Sequence, residues 1–142
     1  MTHFNDLEFP APDEGFVITN FIVAEDVERT AEFYKNVLGG KVVFAGGEGA
    51  PTIVKLANAW VTINVGGGPT PDKPAVTLEP PANPDRVNAF MNLRVADIAA
   101  VYAEWSERGA EFLTEPVTYP WEIRCYMKDP DGRIIEVGQS LP

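Results

Sequence analysis

Residues 125–140 read CYMKDPDGRIIEVGQS, two apolar runs on either side of Asp129-Pro130-Asp131-Gly132. Pro130 and Gly132 suit a type I turn, so the flanking runs are expected to pair as an antiparallel hairpin. The second run, Arg133-Ile134-Ile135-Glu136-Val137, sets a carboxylate among aliphatic side chains. A buried, unpaired charge is costly, so Glu136 needs a partner cation, a metal or water. Which of the three it has bears directly on what the protein does.

Working outward from this hairpin, the chain repeats itself. FIVAEDVERTAEFYKNVLGGKVVF, from Phe21, resembles MNLRVADIAAVYAEWSERGAEFL, from Met91. Asp26 aligns with Asp97 and Tyr34 with Trp105 at one constant offset. The offset shortens by a residue where Gly39-Gly40 meets Gly109-Ala110. Each half opens with an apolar run and an Asp suited to cap a helix. Val27, Ala31, Tyr34 and Leu38 then form one helical stripe, and Ile98, Val101, Tyr102 and Trp105 form another. Gly39 and Gly109 provide stops. Three strand-like runs follow each helix: KVVF, TIVKLA and WVTINV in the first half, and EFLT, EIRCYM and RIIEV in the second. Each half therefore reads β-α-β-β-β, an α+β chain with amphipathic helices covering sheet.

The boundaries follow from composition. Residues 1–15, rich in Pro and acid, are expected to be a loosely held arm, with His3 a solvated tail residue rather than a ligand. Residues 16–142 then form one domain of two modules, 16–66 and 87–140. The Pro/Gly-rich stretch 66–86 joins them, with a short strand expected at Val76-Thr77-Leu78.

The totals exclude several classes of function. Among 142 residues, 21 acidic against 11 basic give a net charge of −10. That surface repels nucleic acid and anionic membrane and attracts cations. No apolar run approaches the ~20 residues of a membrane span, and the N-terminal stretch lacks the pattern of a secretory signal. One cysteine excludes an internal disulfide and fits a reducing cytoplasm. Cys125 has no histidine nearby for a Cys/His pair. The glycines of GGGPTPDK precede prolines rather than a helix, unlike a phosphate loop, and no serine sits in a nucleophile elbow.

Strand alternation sorts the side chains onto two faces. Val61, Ile63, Val65, Met91, Leu93, Val95, Ile135 and Val137 are expected to face the helices. Trp60, Thr62, Asn64, Phe90, Asn92, Arg94, Arg124, Tyr126, Ile134 and Glu136 fall on the other face. Thr19 belongs with them and Asn20 with the helix side, unless a local bulge exchanges the two. Aromatics, amides, hydroxyls, two arginines and one carboxylate on one face make a reasonable ligand pocket. The structural alternative is a satisfied network in which Arg94 or Arg124 pairs with Glu136.

These features resemble the vicinal oxygen chelate superfamily, which includes glyoxalase I, extradiol dioxygenases, fosfomycin-resistance enzymes and bleomycin-resistance proteins. The resemblance runs from about Phe16 to Ser140. It is carried by the paired β-α-β-β-β halves, AEFYKNVLGG in the first helix, and DPDGRIIEVG at the end. It implies a half-barrel of mixed sheet with the helices outside and a ligand in the concave face. In the metal-using members four strand positions hold a divalent cation. By position the resemblance places these at Glu136, at Thr19 or Asn20, at Thr62 or Asn64, and at Phe90 or its neighbours. Only Glu136 is a usual ligand, so the metal site is expected to be mostly absent. An oxygen-rich site for magnesium or manganese, completed by substrate and water, is the other possibility.

The bleomycin-resistance branch is acidic and homodimeric, and it binds a cationic ligand without catalysis or this metal. The chain resembles it in net charge, in VYAEWSERG and in PWEIRCYMKDPDG. The resemblance therefore implies a cytoplasmic homodimer that binds a small organic ligand, cationic or aromatic. Trp60, Trp121, Tyr126 and Phe90 are candidates to stack on it. The alternative is a lyase, isomerase or dioxygenase-like enzyme of the same superfamily. Glu136 would then be a metal ligand or a general base, with Tyr126 or Arg124 steadying an oxyanion.

Overall fold

The computed structural model describes residues 7–142, so His3 lies outside the described residues. The elements run β1 (Thr19–Val23), α1 (Val27–Asn36), β2 (Lys41–Ala45), β3 (Thr52–Leu56) and β4 (Ala59–Asn64). Then come β5 (Met91–Arg94), α2 (Ile98–Glu107), β6 (Glu111–Phe112), β7 (Val117–Thr118), β8 (Glu122–Lys128) and β9 (Ile134–Ser140). The class is α+β, with two open sheets of four and five strands and one helix in each half. The chain divides into two units, Met1–Pro80 and Pro81–Pro142, and the division falls inside the Pro-rich stretch.

In the first unit the strand order is β1-β4-β3-β2, with β1 parallel to β4 and the other pairs antiparallel. Asp26 caps α1 by accepting the Arg29 N–H at 3.1 Å, and Gly39 follows the helix at φ +79°. The helix buries Thr30, Ala31 and Tyr34. On the strands Val54, Val61 and Ile63 are almost wholly buried. Val65, expected to face the helix, lies past the end of β4 and is exposed. The register of β1 on β4 is continuous from Thr19 to Val23, so the bulge that would exchange Thr19 and Asn20 does not form. The irregularity in this sheet lies instead in β2, between Val42 and Phe44. Val76-Thr77-Leu78 forms no strand; Leu78 makes only a two-bond bridge to Gly67.

In the second unit the order is β5-β9-β8-β6, with β7 also on β8. The expected hairpin is present: β8 and β9 pair antiparallel from Glu122–Ser140 to Lys128–Ile134. Its turn is closed by the Gly132 N–H on Asp129 O at 2.9 Å, with Gly132 at φ +81°. The buried Asp129 carboxylate accepts the backbone N–H of Asp131 and of Arg133 and pairs with the Arg133 guanidinium. β5 runs parallel to β9 and sets Met91 on Ile135 and Leu93 on Val137. Met127, Ile135 and Val137 form the fully buried layer, beneath the buried Ile98 of α2. The rest of the α2 stripe, Val101, Tyr102 and Trp105, is only half-buried. The short strand β7 follows no run singled out in the sequence.

Candidate functional site

Glu136 lies in mid-strand on β9, on the face opposite Ile135 and Val137, and is 7% exposed. Its register partners are Tyr126 on β8 and Asn92 on β5, which places three polar side chains in a row across the strands. Tyr126 Oη donates to Glu136 Oε2 at 3.0 Å, and Asn92 Nδ2 donates to Oε1 at 3.4 Å. Arg94 Nη1 approaches the same Oε1 at 3.6 Å. A cation and two hydrogen-bond donors thus surround the carboxylate. Tyr126 is raised above the ordinary tyrosine range, first by burial and then by its hydrogen bond to Glu136 and by that carboxylate's charge.

The arginines are shared with a residue the sequence reading did not single out. Glu122 accepts from Arg94 at 3.0 Å and from Arg124 at 3.2 Å, and Arg94 also donates to Ser140 Oγ at 2.9 Å. The Arg94 hydrogen bond chiefly holds the Glu122 carboxyl below its usual range. Strand parity contains the signal that was missed, because Glu122, Arg124 and Tyr126 alternate on one face of β8. Arg94 lies over Gly138, its register partner on β9. A Cβ there would sit 2.1 Å from Arg94 Nη1, so the missing side chain is what lets the guanidinium cross the strand. Arg124 stacks on Tyr119 with its guanidinium carbon 4.1 Å from the ring centre. Phe90 meets the Tyr126 ring edge-on at 6.0 Å. Trp121 is 79% exposed.

The first unit holds the other expected residues. Thr19, Phe21, Trp60 and Thr62 share the face opposite α1, and Thr62 Oγ1 lies 3.4 Å from Thr19 Oγ1. Asn64 is on the same face, but its Oδ1 accepts the Val65 N–H. Asn20 pairs with Val61 on the helix side and is exposed at the strand end. Trp60 is 2% exposed because residues 7–9 lie across it: its Nε1 donates to Glu8 O at 2.9 Å. The expectation of a loosely held arm fails for this stretch, which two donors and an aromatic contact fasten to the sheet. A separate cleft of about 470 Å³ lies between α1 and β2, floored by Val27, Ala31 and Val42 and edged by Glu28, Glu32 and Glu48.

Other chemistry is limited by what these faces carry. Among the described residues, no group of three or more His, Cys, Asp or Glu side chains comes together as a metal centre. The buried Cys125 thiol is pushed up to about 11 by burial, which keeps it protonated and poorly nucleophilic near neutral pH. Among the described residues, no helix is long and apolar enough to cross a membrane.

The family model of the Glyoxalase/Bleomycin resistance protein/Dioxygenase superfamily matches residues 16–137. The chain belongs to this superfamily. Its solved neighbours share the fold at low identity. TnmS3, an antibiotic binding protein from Streptomyces sp. CB03234, is 21% identical with a TM-score of 0.63, covering 92% of this chain and 100% of that one. A glyoxalase/bleomycin resistance protein/dioxygenase from Nocardioides is 19% identical at TM-score 0.68, covering 92% and 87%. The fosfomycin resistance protein FosX from Mesorhizobium loti is 20% identical at 0.61, covering 90% and 93%. None of the curated proteins matches the chain. The fold neighbours thus include an antibiotic binding protein and a fosfomycin resistance protein, and a shared fold does not choose between such roles.

Proposed function

We propose that this superfamily member binds a small organic ligand, aromatic or cationic, on the sheet faces opposite the helices, without a resident metal. One observation carries the reading. The Glu136 carboxylate is already answered by Tyr126, Asn92 and the Arg94 cation, while rings around the polar cluster that runs from it to Glu122 remain open to solvent: Phe90 against Tyr126, Tyr119 against Arg124, and Trp121 next to Glu122 in the chain. An exposed tryptophan at the edge of a hydrogen-bonded polar cluster offers a stacking surface with a few fixed polar groups, as small-molecule sites do. The residues that the superfamily's metal positions fall on are poor donors for a transition metal. Thr19 and Thr62 are neutral hydroxyls, Phe90 is apolar, and a guanidinium occupies the neighbourhood of Glu136. An antibiotic binding protein among the fold neighbours agrees with sequestration as the form this binding takes. The reading includes a homodimer in a reducing cytoplasm; sedimentation velocity tests the first and fractionation the second.

A calorimetric screen of aromatic cations against the full chain tests the reading, alongside elemental analysis of protein purified without chelator. Binding at one site per chain that falls at least tenfold in Trp121→Ala, with no stoichiometric metal, is the expected result. A stoichiometric metal lost in Glu136→Gln would overturn it. The second reading, an enzyme of the same superfamily, is favoured by the Tyr126–Glu136 hydrogen bond. A carboxylate paired with a phenol that stays protonated can remove a proton from carbon next to a carbonyl and return it. Proton exchange into a carbonyl compound that stops in Glu136→Gln would select this alternative.

A further inference from the structure

The two halves invite comparison at one place, the seam between each helix and the first strand after it. At the offset that sets Tyr34 against Trp105, Ala31 of α1 corresponds to Tyr102 of α2. At the shorter offset that sets Gly39 against Gly109, Val42 of β2 corresponds to Phe112 of β6. In the second unit these positions hold a ring pair: Tyr102 lies on Phe112 across the seam, with ring centres 4.7 Å apart. In the first unit the same positions hold a methyl and an isopropyl group, and both line the cleft of about 470 Å³. The seam between a helix and the sheet it covers is ordinarily closed by side chains. This one is open because two rings are missing from it, and its volume lies in the range of small-molecule sites. The rim changes with the interior. Glu28 and Glu32 stand where the second half has Ala99 and Ala103, and Glu48 adds a third carboxylate from the bend after β2. All three are exposed, and among the described residues none has a hydrogen bond or an ion pair. Lys35 also lines the cleft, so three carboxylates stand against one ammonium.

We propose that this cleft is a second binding site, on the helix side of the first unit's sheet, for an organic cation with a body the size of a fused ring pair. The ring system takes the space over Ala31 and Val42 that Tyr102 and Phe112 fill in the second unit. The cationic group meets Glu28 and Glu32, which lie one turn apart on α1 and repel each other when the cleft is empty. Carboxylates this open to water contribute little to each pairing. The apolar body therefore supplies most of the affinity, and the rim selects a cation over a neutral or anionic compound. The cleft is on the opposite side of the sheet from the face discussed under the proposed function, and it does not depend on that reading.

The test titrates 1-naphthylmethylammonium into the full chain and follows the backbone amides by NMR, which gives both the place of binding and the affinity. Saturable shifts in α1 and β2 are expected. The uncharged counterpart, 1-naphthylmethanol, is expected to bind there at least threefold more weakly. Ala31→Tyr/Val42→Phe copies the ring pair of the second module into the first and is expected to lower the affinity at least tenfold. Val42→Phe alone serves where the double variant does not melt cooperatively, with at least a threefold loss expected. Glu28→Gln/Glu32→Gln leaves the apolar floor intact and is expected to erase the preference for the amine over the alcohol. The absence of saturable shifts in α1 and β2, or shifts that survive the filled cleft, overturns the proposal. A preference for the amine that persists in Glu28→Gln/Glu32→Gln does the same. Trp121→Ala keeps the two sites apart: the α1 and β2 shifts are expected to be unchanged in it. Shifts confined to residues 119–126 and lost in Trp121→Ala would sink the cleft and leave the sheet-face reading standing.

Discussion

Glu136 shows how one buried carboxylate is made tolerable: two donors and a cation, delivered from the two strands that flank β9. The arrangement leaves a signature in Tyr126, whose pKa is raised by burial and by the Glu136 charge. A raised folded-state pKa means that the phenol's contribution to stability is complete below the ordinary tyrosine value. It is lost as pH rises through the folded value. In an absorbance titration, Tyr126→Phe is expected to delete the late-ionising component, and Glu136→Gln to move that component to lower pH. Cys125 makes a parallel case. A thiol pushed up to about 11 and buried is expected to stay unmodified by a thiol reagent at neutral pH until denaturant unfolds the chain. At this scale the sequence was half legible. Alternation placed Glu136, Tyr126, Asn92 and Arg94 on one face, because a period of two is a local property. It gave no sign that Arg94 and Arg124 would converge on Glu122, which depends on the long Arg94 side chain crossing Gly138.

Elements were the most legible level. Asp26 and Asp97 cap their helices as their positions imply, and the Asp129–Gly132 turn joins the hairpin that its Pro and Gly suggest. What could not be read was how deeply each helix would be seated. Ala31, Tyr34 and Leu38 of the first stripe are buried, whereas on α2 only Ile98 is fully covered. Periodicity reports which face of a helix is apolar, not how much sheet lies under it. Ile135→Ala, under α2 and fully buried, is expected to cost ~2–5 kcal/mol by urea denaturation, and Val101→Ala, half-exposed on the helix, less than half of that. The short strand β7 and the seating of residues 7–9 were illegible for a different reason. Both depend on a few hydrogen bonds to distant strands, and neither segment carries a periodic pattern.

Across the whole molecule, the internal repeat and the C-terminal hairpin were sufficient to anticipate the superfamily, since the two halves carry one pattern twice. The ligand was not legible, because a scaffold shared by many chemistries is decided by single side chains. The net charge of −10 nonetheless has a measurable outcome. If the ligand is cationic, its association rate is expected to fall several-fold between low salt and 0.15 M salt, where the screening length is ~8 Å, while the dissociation rate changes little. Stopped-flow fluorescence checks this: a rate indifferent to salt would point to a neutral ligand instead, and a rate that rises with salt to an anionic one.

The contrast between two turns decides where this chain tolerates being lengthened. At Asp129–Arg133 a buried carboxylate binds the backbone on the far side of the bend, so added residues would break the closure that sets the β8–β9 register. At Gly47 and Gly49, both at positive φ, an added Cβ would meet no atom within 4 Å. The bend between β2 and β3 is thus the natural point for a fused tag or inserted reporter domain, and the bend between β8 and β9 is the one to leave intact.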